Sequence, residues 1–331
     1  MQKAVDRPVA ARSLEGSRRL KAIGLICSAA ILFTVLDATA KYLTLRAGLP
    51  LLEIVWLRFA TQLLLMIAFL GLVNVPGLFR TGKLGHQLLR SCFLLGSTVF
   101  NFGALLYLRL DQTATILYLM PLLVALLAGP LLGEWVGWRR MIAIGVGFLG
   151  ILVVLRPGFS SFHWAFAISL AGTVSYSLYN LSTRYLAPHD QADVTLFYGL
   201  LVPVIAMAPV AYHLWIWPAQ LWHWAPIFLT GACGGLGHYL LIRAHGLAPA
   251  STLAPFSYIS LLSVITLGYV LFGDLPDVFT LTGSAILIGS GLYLIHRERV
   301  VSAARPAVPD QRLSEPPRLE PPRLTLTGPF S

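Results

Sequence analysis

The stretch KAIGLICSAAILFTVLDATAKY (21–42) is apolar over nearly its whole length. A helix needs about 20 such residues to cross the hydrocarbon core of a bilayer. Similar runs follow until about residue 296, separated by short loops with glycine and proline such as Gly48-Leu49-Pro50. The sequence therefore predicts ten membrane-spanning helices, near 21–42, 52–73, 87–108, 113–133, 138–155, 162–186, 193–213, 224–243, 250–272 and 279–296.

The composition agrees with a membrane protein. Of the 331 residues, 56% are hydrophobic and 11% are charged, whereas a soluble domain has about 25% charged residues. The runs are too long and too uniformly apolar for barrel strands, which alternate in polarity. The net charge of +10 lies in the tails and loops rather than on one basic face, so no nucleic-acid partner is expected. We predict an all-α integral membrane protein.

Positive charges concentrate in alternate loops. With the N-terminus inside, the cytoplasmic segments hold most arginines and lysines, including Arg80, Lys83, Arg90 and Arg139. The positive-inside rule then places both termini in the cytoplasm, and we expect a multi-pass protein of the bacterial inner membrane. Residues 1–19 and the Pro/Arg-rich residues 300–331 are aperiodic and are predicted to be disordered cytoplasmic tails.

The chain repeats itself after about 140 residues. Lys41-Tyr42-Leu43 returns as Arg184-Tyr185-Leu186, and Asp37 returns as Asn180. The two repeats, 20–157 and 158–299, would hold five spans each, and because five is odd the second inserts upside down. Inverted repeats can rock about a central site and open it to each side in turn. The fold class is thus ten transmembrane helices as two inverted five-helix repeats, pictured as two bundles around a polar chamber.

Several motifs resemble one known family. They are Trp56-Leu57-Arg58-Phe59, Tyr118-Leu119-Met120-Pro121, Ala254-Pro255-Phe256-Ser257-Tyr258 and Phe272-Gly273-Asp274-Leu275-Pro276. Over about residues 20–299 the chain resembles the EamA family of the drug/metabolite transporter superfamily. The resemblance implies ten helices, cytoplasmic termini and a central substrate cavity. Its details look closest to carriers of S-adenosylmethionine or riboflavin, or to amino-acid exporters. Asp274 departs from the Glu of many members.

Ionisable residues inside a membrane cost about 2.5–3.5 kcal/mol each, so each suggests a function. Asp37 and Lys41 are four residues apart and share a helix face. They could form a paired switch that accepts a proton or a substrate amine. They could equally form a static ion pair, or Lys41 could reach the interface. Arg58 could bind a substrate carboxylate or phosphate, or could pair with Glu53.

Other polar residues are predicted to face the interior of the bundle. Tyr176, Asn180 and Arg184 form a stripe spaced by four residues, with Tyr179 beside it, and such a stripe is more typical of a cavity than of a lipid-facing surface. Whether the stripe touches substrate is left open.

Four further residues complete the candidate site. Asn101 is predicted to project inward, and His238 either carries a proton or bonds to a neighbouring helix. Tyr118 and Tyr258 correspond in the two repeats and either sandwich a planar solute or pack between helices. Glycines also crowd two spans, where we expect close helix packing: Gly145, Gly147 and Gly150 in the fifth, and Gly231, Gly234, Gly235 and Gly237 in the eighth.

We therefore predict a secondary transporter that moves a small organic metabolite by alternating access. The solute would be an amino acid or a nucleoside-like or vitamin-like compound. The partners are this solute, the lipid bilayer and protons as a candidate coupling ion. No phosphate-binding loop is present, so ATP would not drive transport directly. Cysteine and histidine spacing matches no metal motif, and we predict no cofactor and no metal.

Two alternatives from other classes stay open. His189 and Asp193 have the HxxxD spacing of some acyltransferases, which would make the chain a membrane-embedded enzyme. A duplicated bundle that only supports other subunits would make it a non-transporting scaffold.

Overall fold

The computed structural model of the protein describes residues 6–70, 75–133, 137–156, 163–248, 253, 256 and 259–303. Within these ranges the regular secondary structure is helical, with a 3₁₀ turn at Leu221–His223. The α-helices are α1 Asp6–Leu45, α2 Leu51–Leu70, α3 Val75–Leu78, α4 Leu84–Leu105, α5 Leu110–Leu117, α6 Met120–Leu132, α7 Trp138–Leu155, α8 Ala165–Leu186, α9 Ala192–His213, α10 Trp224–Leu247, α11 Ile259–Phe272 and α12 Val278–Ala303.

These helices account for the ten predicted spans. Six segments are long and apolar enough to cross a membrane: Arg18–Leu45, Leu51–Phe69, Leu84–Leu105, Leu110–Leu131, Ala192–His213 and Leu221–Leu247. Three more apolar helices are shorter: Met141–Leu155, Ile259–Phe272 and Val278–Leu294. The remaining span, sixth in chain order, is helix α8, which has 22 residues. It is more polar because it carries the predicted stripe.

The ends of the membrane region differ from the prediction. Helix α1 begins at Asp6, inside the segment 1–19 that was predicted to be disordered. Pro8 lies in its first turn, where the missing N–H has no helical partner to lose. Good helix formers such as Ala and Arg follow. Helix α12 continues to Ala303, and residues 304–331 of the predicted second tail lie outside the described residues.

The fourth span, predicted as one helix, is interrupted at Tyr118 and Leu119. Pro121 causes the break, because it has no N–H to donate to the carbonyl of Leu117 and its ring crowds that carbonyl. The chain tightens at this point, and the amide of Leu119 bonds to the carbonyl of Ile116 at 3.0 Å, three residues back. Helices α5 and α6 therefore follow one another as two half-helices across the membrane.

The two halves are interleaved. Helix α1 packs chiefly against α10, α4 against α8, α2 against α9, and α7 against α12, and each pair takes one helix from each half. In the two halves α1 corresponds to α8, α2 to α9, α4 to α10 and α7 to α12. Exchanging corresponding helices therefore turns the α1–α10 pair into the α8–α4 pair and leaves the α2–α9 and α7–α12 pairs unchanged. This is the packing expected from inverted repeats. The closest helix contacts in the core therefore run between the two halves.

Small residues allow the closest of these contacts. A Cβ added to Gly283 of α12 would overlap the Val154 side chain and lie 2.6 Å from the carbonyl oxygen of Gly150 on α7. Gly147, Gly231, Gly234 and Gly237 also meet neighbouring helices closely, as predicted, whereas nothing lies within 4 Å of a Cβ on Gly145.

Gly283→Ala is expected to destabilise the protein by about 1–3 kcal/mol, the usual cost of forcing a methyl group into a packed interface. The matched control is Gly289→Ala on the same helix, where an added Cβ meets nothing within 4 Å. We expect this control to melt at or above the wild-type temperature, since alanine favours helix over glycine. Thermal melting in detergent measures both, and equal melting of the two variants would contradict the packing argument.

Candidate functional site

Two adjoining cavities lie between the halves, with volumes of about 350 Å³ and 140 Å³. Both are lined by Phe33, Asp37, Asn101, Leu117 and Tyr176, which form the boundary between them. The larger falls within the size range of small-molecule sites, about 300–1,000 Å³. Its walls come from α1, α4, α5, α6, α8, α10 and α11, so both halves contribute.

Besides His238, the smaller cavity contains one acidic and one basic side chain, Asp37 and Arg58. Asp37 of α1 accepts a hydrogen bond from Asn101 Nδ2 through Oδ1 at 3.1 Å. Arg58 of α2, whose exposed fraction is 6%, donates from Nη1 to Thr98 Oγ1 at 2.8 Å. Arg58 Nε is buried without a hydrogen-bond partner. The hydrogen bonds of both charged groups are thus made with neutral side chains, in a largely apolar cavity.

The larger cavity is lined mainly by apolar and aromatic groups. Tyr176 stacks on Tyr179 with 5.7 Å between ring centroids and a 17° angle between planes. Tyr118, at the break between α5 and α6, shares a 2.9 Å hydrogen bond with Ser260 of α11. Asn180 lines the same cavity and donates from Nδ2 to the carbonyl of Tyr176 at 2.7 Å. These groups offer flat surfaces with a few polar contacts.

His238 lines the smaller cavity and holds its ring edge-on to Phe33, with 5.0 Å between centroids. The structure thus brings seven of the predicted site residues to the cavities: Asp37, Arg58, Asn101, Tyr118, Tyr176, Asn180 and His238.

Lys41 lies elsewhere, and the predicted Asp37–Lys41 pair does not form. Its ammonium donates to the carbonyl oxygen of Leu108 at 2.9 Å and lies 3.5 Å from Asp274 Oδ2. The Phe272 ring centroid is 4.8 Å away. The two side chains diverge because Asp37 turns to Asn101 on α4, while Lys41 reaches the loop ends beyond α4 and α11.

Arg184 and Tyr258 are not part of the described site. Arg184 is exposed in the last turn of α8, one turn beyond Asn180, and does not line either cavity. The predicted polar stripe therefore faces the cavity at Tyr176 and Asn180 and leaves it at Arg184. Tyr258 lies outside the described residues. Glu53, considered as a partner of Arg58, instead accepts a hydrogen bond from the amide of Ile216 at 3.1 Å.

A buried arginine was missed by the sequence reasoning, which counted Arg90 among the cytoplasmic charges although it lies within the predicted third span, 87–108. Arg90 lies inside α4 with an exposed fraction of 3%. Its Nε donates to Thr183 Oγ1 at 2.7 Å, Nη1 to the Thr195 carbonyl at 2.8 Å and Nη2 to the Tyr179 hydroxyl at 2.8 Å. We call Arg90, Tyr179, Thr183 and Thr195 the arginine clamp. It joins α4, α8 and α9 and holds the tyrosine that stacks on Tyr176.

Polar lining residues on α4 were also missed. Ser97 and Thr98 line the smaller cavity together with Asn101. Ser97 and Asn101 are four residues apart, the spacing that puts both on one helix face. This signal is readable in the sequence. Within the described ranges, no group of three or more His, Cys, Asp or Glu residues is placed to hold a metal ion.

Asp190, in the loop after α8, ties that loop to the start of α4. It accepts hydrogen bonds from the Thr81 hydroxyl, the Gly82 amide at 3.1 Å and Gln87 Nε2 at 2.8 Å. Burial alone would raise the pKa of this carboxyl, but the hydrogen bonds from Thr81, Gln87 and Gly82 outweigh it and hold the pKa below 3.8. The loop is thereby stabilised by the ionised form.

Asp190→Asn is accordingly expected to lower the melting temperature at neutral pH and to matter less in acid. A carboxyl whose pKa is depressed in the folded state contributes stability above its unfolded pKa of 3.8. That contribution is lost as the pH falls through the lower, folded pKa. Melting of both proteins in detergent at about pH 7 and about pH 3 tests this, and a difference that does not shrink in acid would count against it.

Comparison with known proteins agrees with this architecture. The model of the EamA-like transporter family matches twice, at residues 20–156 and 163–297. One solved crystal structure shares the fold, with a TM-score of 0.54, 18% identity, and coverage of 88% of this chain and 99% of the other.

Three relatives with named functions are similar over most of their length. The S-adenosylmethionine uptake transporter of Rickettsia bellii (strain RML369-C) is 26% identical over 264 residues, 80% of this chain and 89% of the relative. The riboflavin transporter of Vibrio cholerae is 24% identical, covering 82% and 91%. The pseudopaline exporter CntI of Pseudomonas aeruginosa is 25% identical, covering 78% and 90%.

The duplicated ten-helix fold, the cavities between the halves and the two family matches lead to the same conclusion, and they identify a transporter of small metabolites rather than an enzyme. This chain is a multi-pass membrane protein that belongs to the EamA-like transporter family.

Proposed function

We propose that this transporter binds its solute in the two joined cavities and carries it across the inner membrane of a bacterium by alternating access. The observation that supports this most strongly is the position of the cavities, whose walls come from helices of both halves. A movement of one half relative to the other would change which end of the cavities is open.

The described conformation fits one that is open toward the side of the N-terminus. The larger cavity reaches Ile26, in the first third of the membrane-spanning segment Arg18–Leu45, and the exposed His245 near the end of α10. At the opposite ends of the helices, Lys41 pairs with Asp274, and Arg156 pairs with Asp277. With both termini in the cytoplasm, as the positive-inside rule favours, this is an inward-open state.

S-adenosylmethionine is the first solute to test, because four similar proteins from Rickettsia species are named as its uptake transporters. Its adenine ring could stack on Tyr118 or Tyr176, and its sulfonium is a cation of the kind that aromatic faces attract. We further propose a proton as the coupling ion, with Asp37, which lines both cavities, as the group that exchanges it.

Purified protein in liposomes provides the test. We expect uptake of labelled S-adenosylmethionine, stimulated by a pH gradient, and at least a tenfold loss in Tyr176→Ala, which removes the ring at the boundary of the cavities. The control is Tyr212→Ala, a tyrosine of α9 whose exposed fraction is 80%. Normal uptake by Tyr176→Ala would show that the cavity is not on the transport path. Uptake that does not change with a pH gradient would exclude the proton as the coupling ion.

A further inference from the structure

We infer that the solute carries an anionic and a cationic group side by side at one end, as an α-amino acid headgroup does, and that this end binds in the smaller cavity. The inference rests on the proposed function, since it concerns what the same cavities recognise. It separates the named substrates of the relatives, because S-adenosylmethionine has such a headgroup and riboflavin does not.

Two opposite charges lie in the smaller cavity. Asp37 and Arg58 come from neighbouring helices, α1 and α2, and both line the 140 Å³ cavity. The direct partners given above are neutral: Asn101 for the carboxylate and Thr98 for the guanidinium. Arg58 also keeps a buried Nε without a partner. The cavity therefore offers a carboxylate, Asp37, that can bind a cationic group and a guanidinium, Arg58, that can bind an anionic group.

Asp37 and Arg58 attract each other electrostatically but form their hydrogen bonds with neutral groups, so a solute bound beside them must satisfy both charges. Buried charges are normally paired because desolvation is expensive. A neutral solute would displace water from Asp37 and Arg58 without replacing its hydrogen bonds. A simple anion would suit Arg58 but would meet the carboxylate of Asp37. A zwitterionic end lets the ammonium face Asp37 and the carboxylate face the planar fork of Arg58.

The two cavities differ in the chemistry of the side chains that line them. Arg58 does not line the larger cavity. Among the described residues that do, the one basic side chain is His245, at the mouth of the cavity. Its lining is otherwise mostly apolar, with Phe33, Tyr118 and Tyr176 among the rings. Because Asp37, Asn101 and Tyr176 line both cavities, a solute with its head at Arg58 would pass its body between them. The order is a charged head in the small cavity and a planar or apolar body in the large one.

Competition in the proteoliposomes tests this with defined probes. S-adenosylmethionine and methionine carry the headgroup. Decarboxylated S-adenosylmethionine lacks only the carboxylate, and 5′-methylthioadenosine and riboflavin lack the whole headgroup. We expect the wild type to transport one or both of the first pair. Removing the carboxylate should weaken competition at least tenfold, and riboflavin should not compete.

Arg58→Gln assigns the carboxylate to its partner. The variant should lose most of its preference for S-adenosylmethionine over the decarboxylated analogue. Arg46→Gln, which changes an exposed arginine after α1, should keep that preference. If Arg58→Gln fails to fold, as judged by size-exclusion elution, the competition series on the wild type still decides the matter.

The failures of the two proposals are distinguishable. If riboflavin or 5′-methylthioadenosine is transported or competes as well as S-adenosylmethionine, the headgroup inference is overturned while transport through the cavities stands. If the folded wild type moves none of the five probes, the proposed function fails and the inference fails with it.

Discussion

Replacing Arg90 with methionine is expected to lower the melting temperature strongly and to weaken transport. Methionine fills similar space but donates no hydrogen bonds. The Tyr179 hydroxyl, Thr183 Oγ1 and the Thr195 carbonyl each lose the hydrogen bond that Arg90 donates. A buried polar group left unpaired costs about 1–3 kcal/mol. Since Thr183 and Thr195 keep other local partners, we expect a total on the order of 2–3 kcal/mol. The matched control is Arg139→Met, an exposed arginine at the start of α7.

Arg90→Lys distinguishes a role of the charge from a role of the geometry. Lysine keeps the charge but presents its donors from one nitrogen, which cannot reach three separated acceptors as a guanidinium does. We expect partial recovery of stability. Because Tyr179 stacks on Tyr176 at the cavity boundary, we also expect a raised KM in the lysine variant. An Arg90→Met protein that melts and transports like the wild type would contradict the clamp.

The ten spans could be predicted because the tendency to cross a membrane is a property of a local stretch of about 20 residues. The repeat likewise shows in the sequence, and the pairing of α4 with α8 and of α1 with α10 agrees with it. That the halves interleave could not be predicted, since it depends on which helix faces fit together. The break at Tyr118 was predictable, because Pro121 follows within the same apolar run.

The candidate site divides in the same way. Asp37, Arg58, Asn101 and Tyr176 could be selected one by one, because each is a polar group in a stretch where polarity is costly. Their partners could not be selected, since a helix-face argument sees only residues three or four apart. It therefore paired Asp37 with Lys41 and missed Asp274 as the partner of Lys41. Asp274 is remote in sequence, but its Oδ2 lies 3.5 Å from Lys41 Nζ.

Neutralising Lys41 is expected to reduce transport at least tenfold, and the loss should be smaller when Asp274 is neutralised as well. Lys41 has an exposed fraction of 7%, and Asp274 one of 28%. In Lys41→Met, Asp274 keeps its charge without this partner. In Asp274→Asn, the ammonium still has the Leu108 carbonyl and the Phe272 ring. The double variant leaves neither charge, so its loss should fall below the sum of the single losses.

Melting temperatures and transport rates of the four proteins form a double-mutant cycle, in which groups in contact usually couple by about 0.5–3 kcal/mol. The value should lie in the lower part of that range for stability, because Asp274 is partly exposed to solvent. Strictly additive losses would mean that the pair does not act as a unit. The effect on transport should exceed the effect on stability, because Lys41 belongs to the first half and Asp274 to the second. Under the proposed alternating-access mechanism this contact breaks when that end of the cavities opens, so we expect it to set how readily the other conformation is reached.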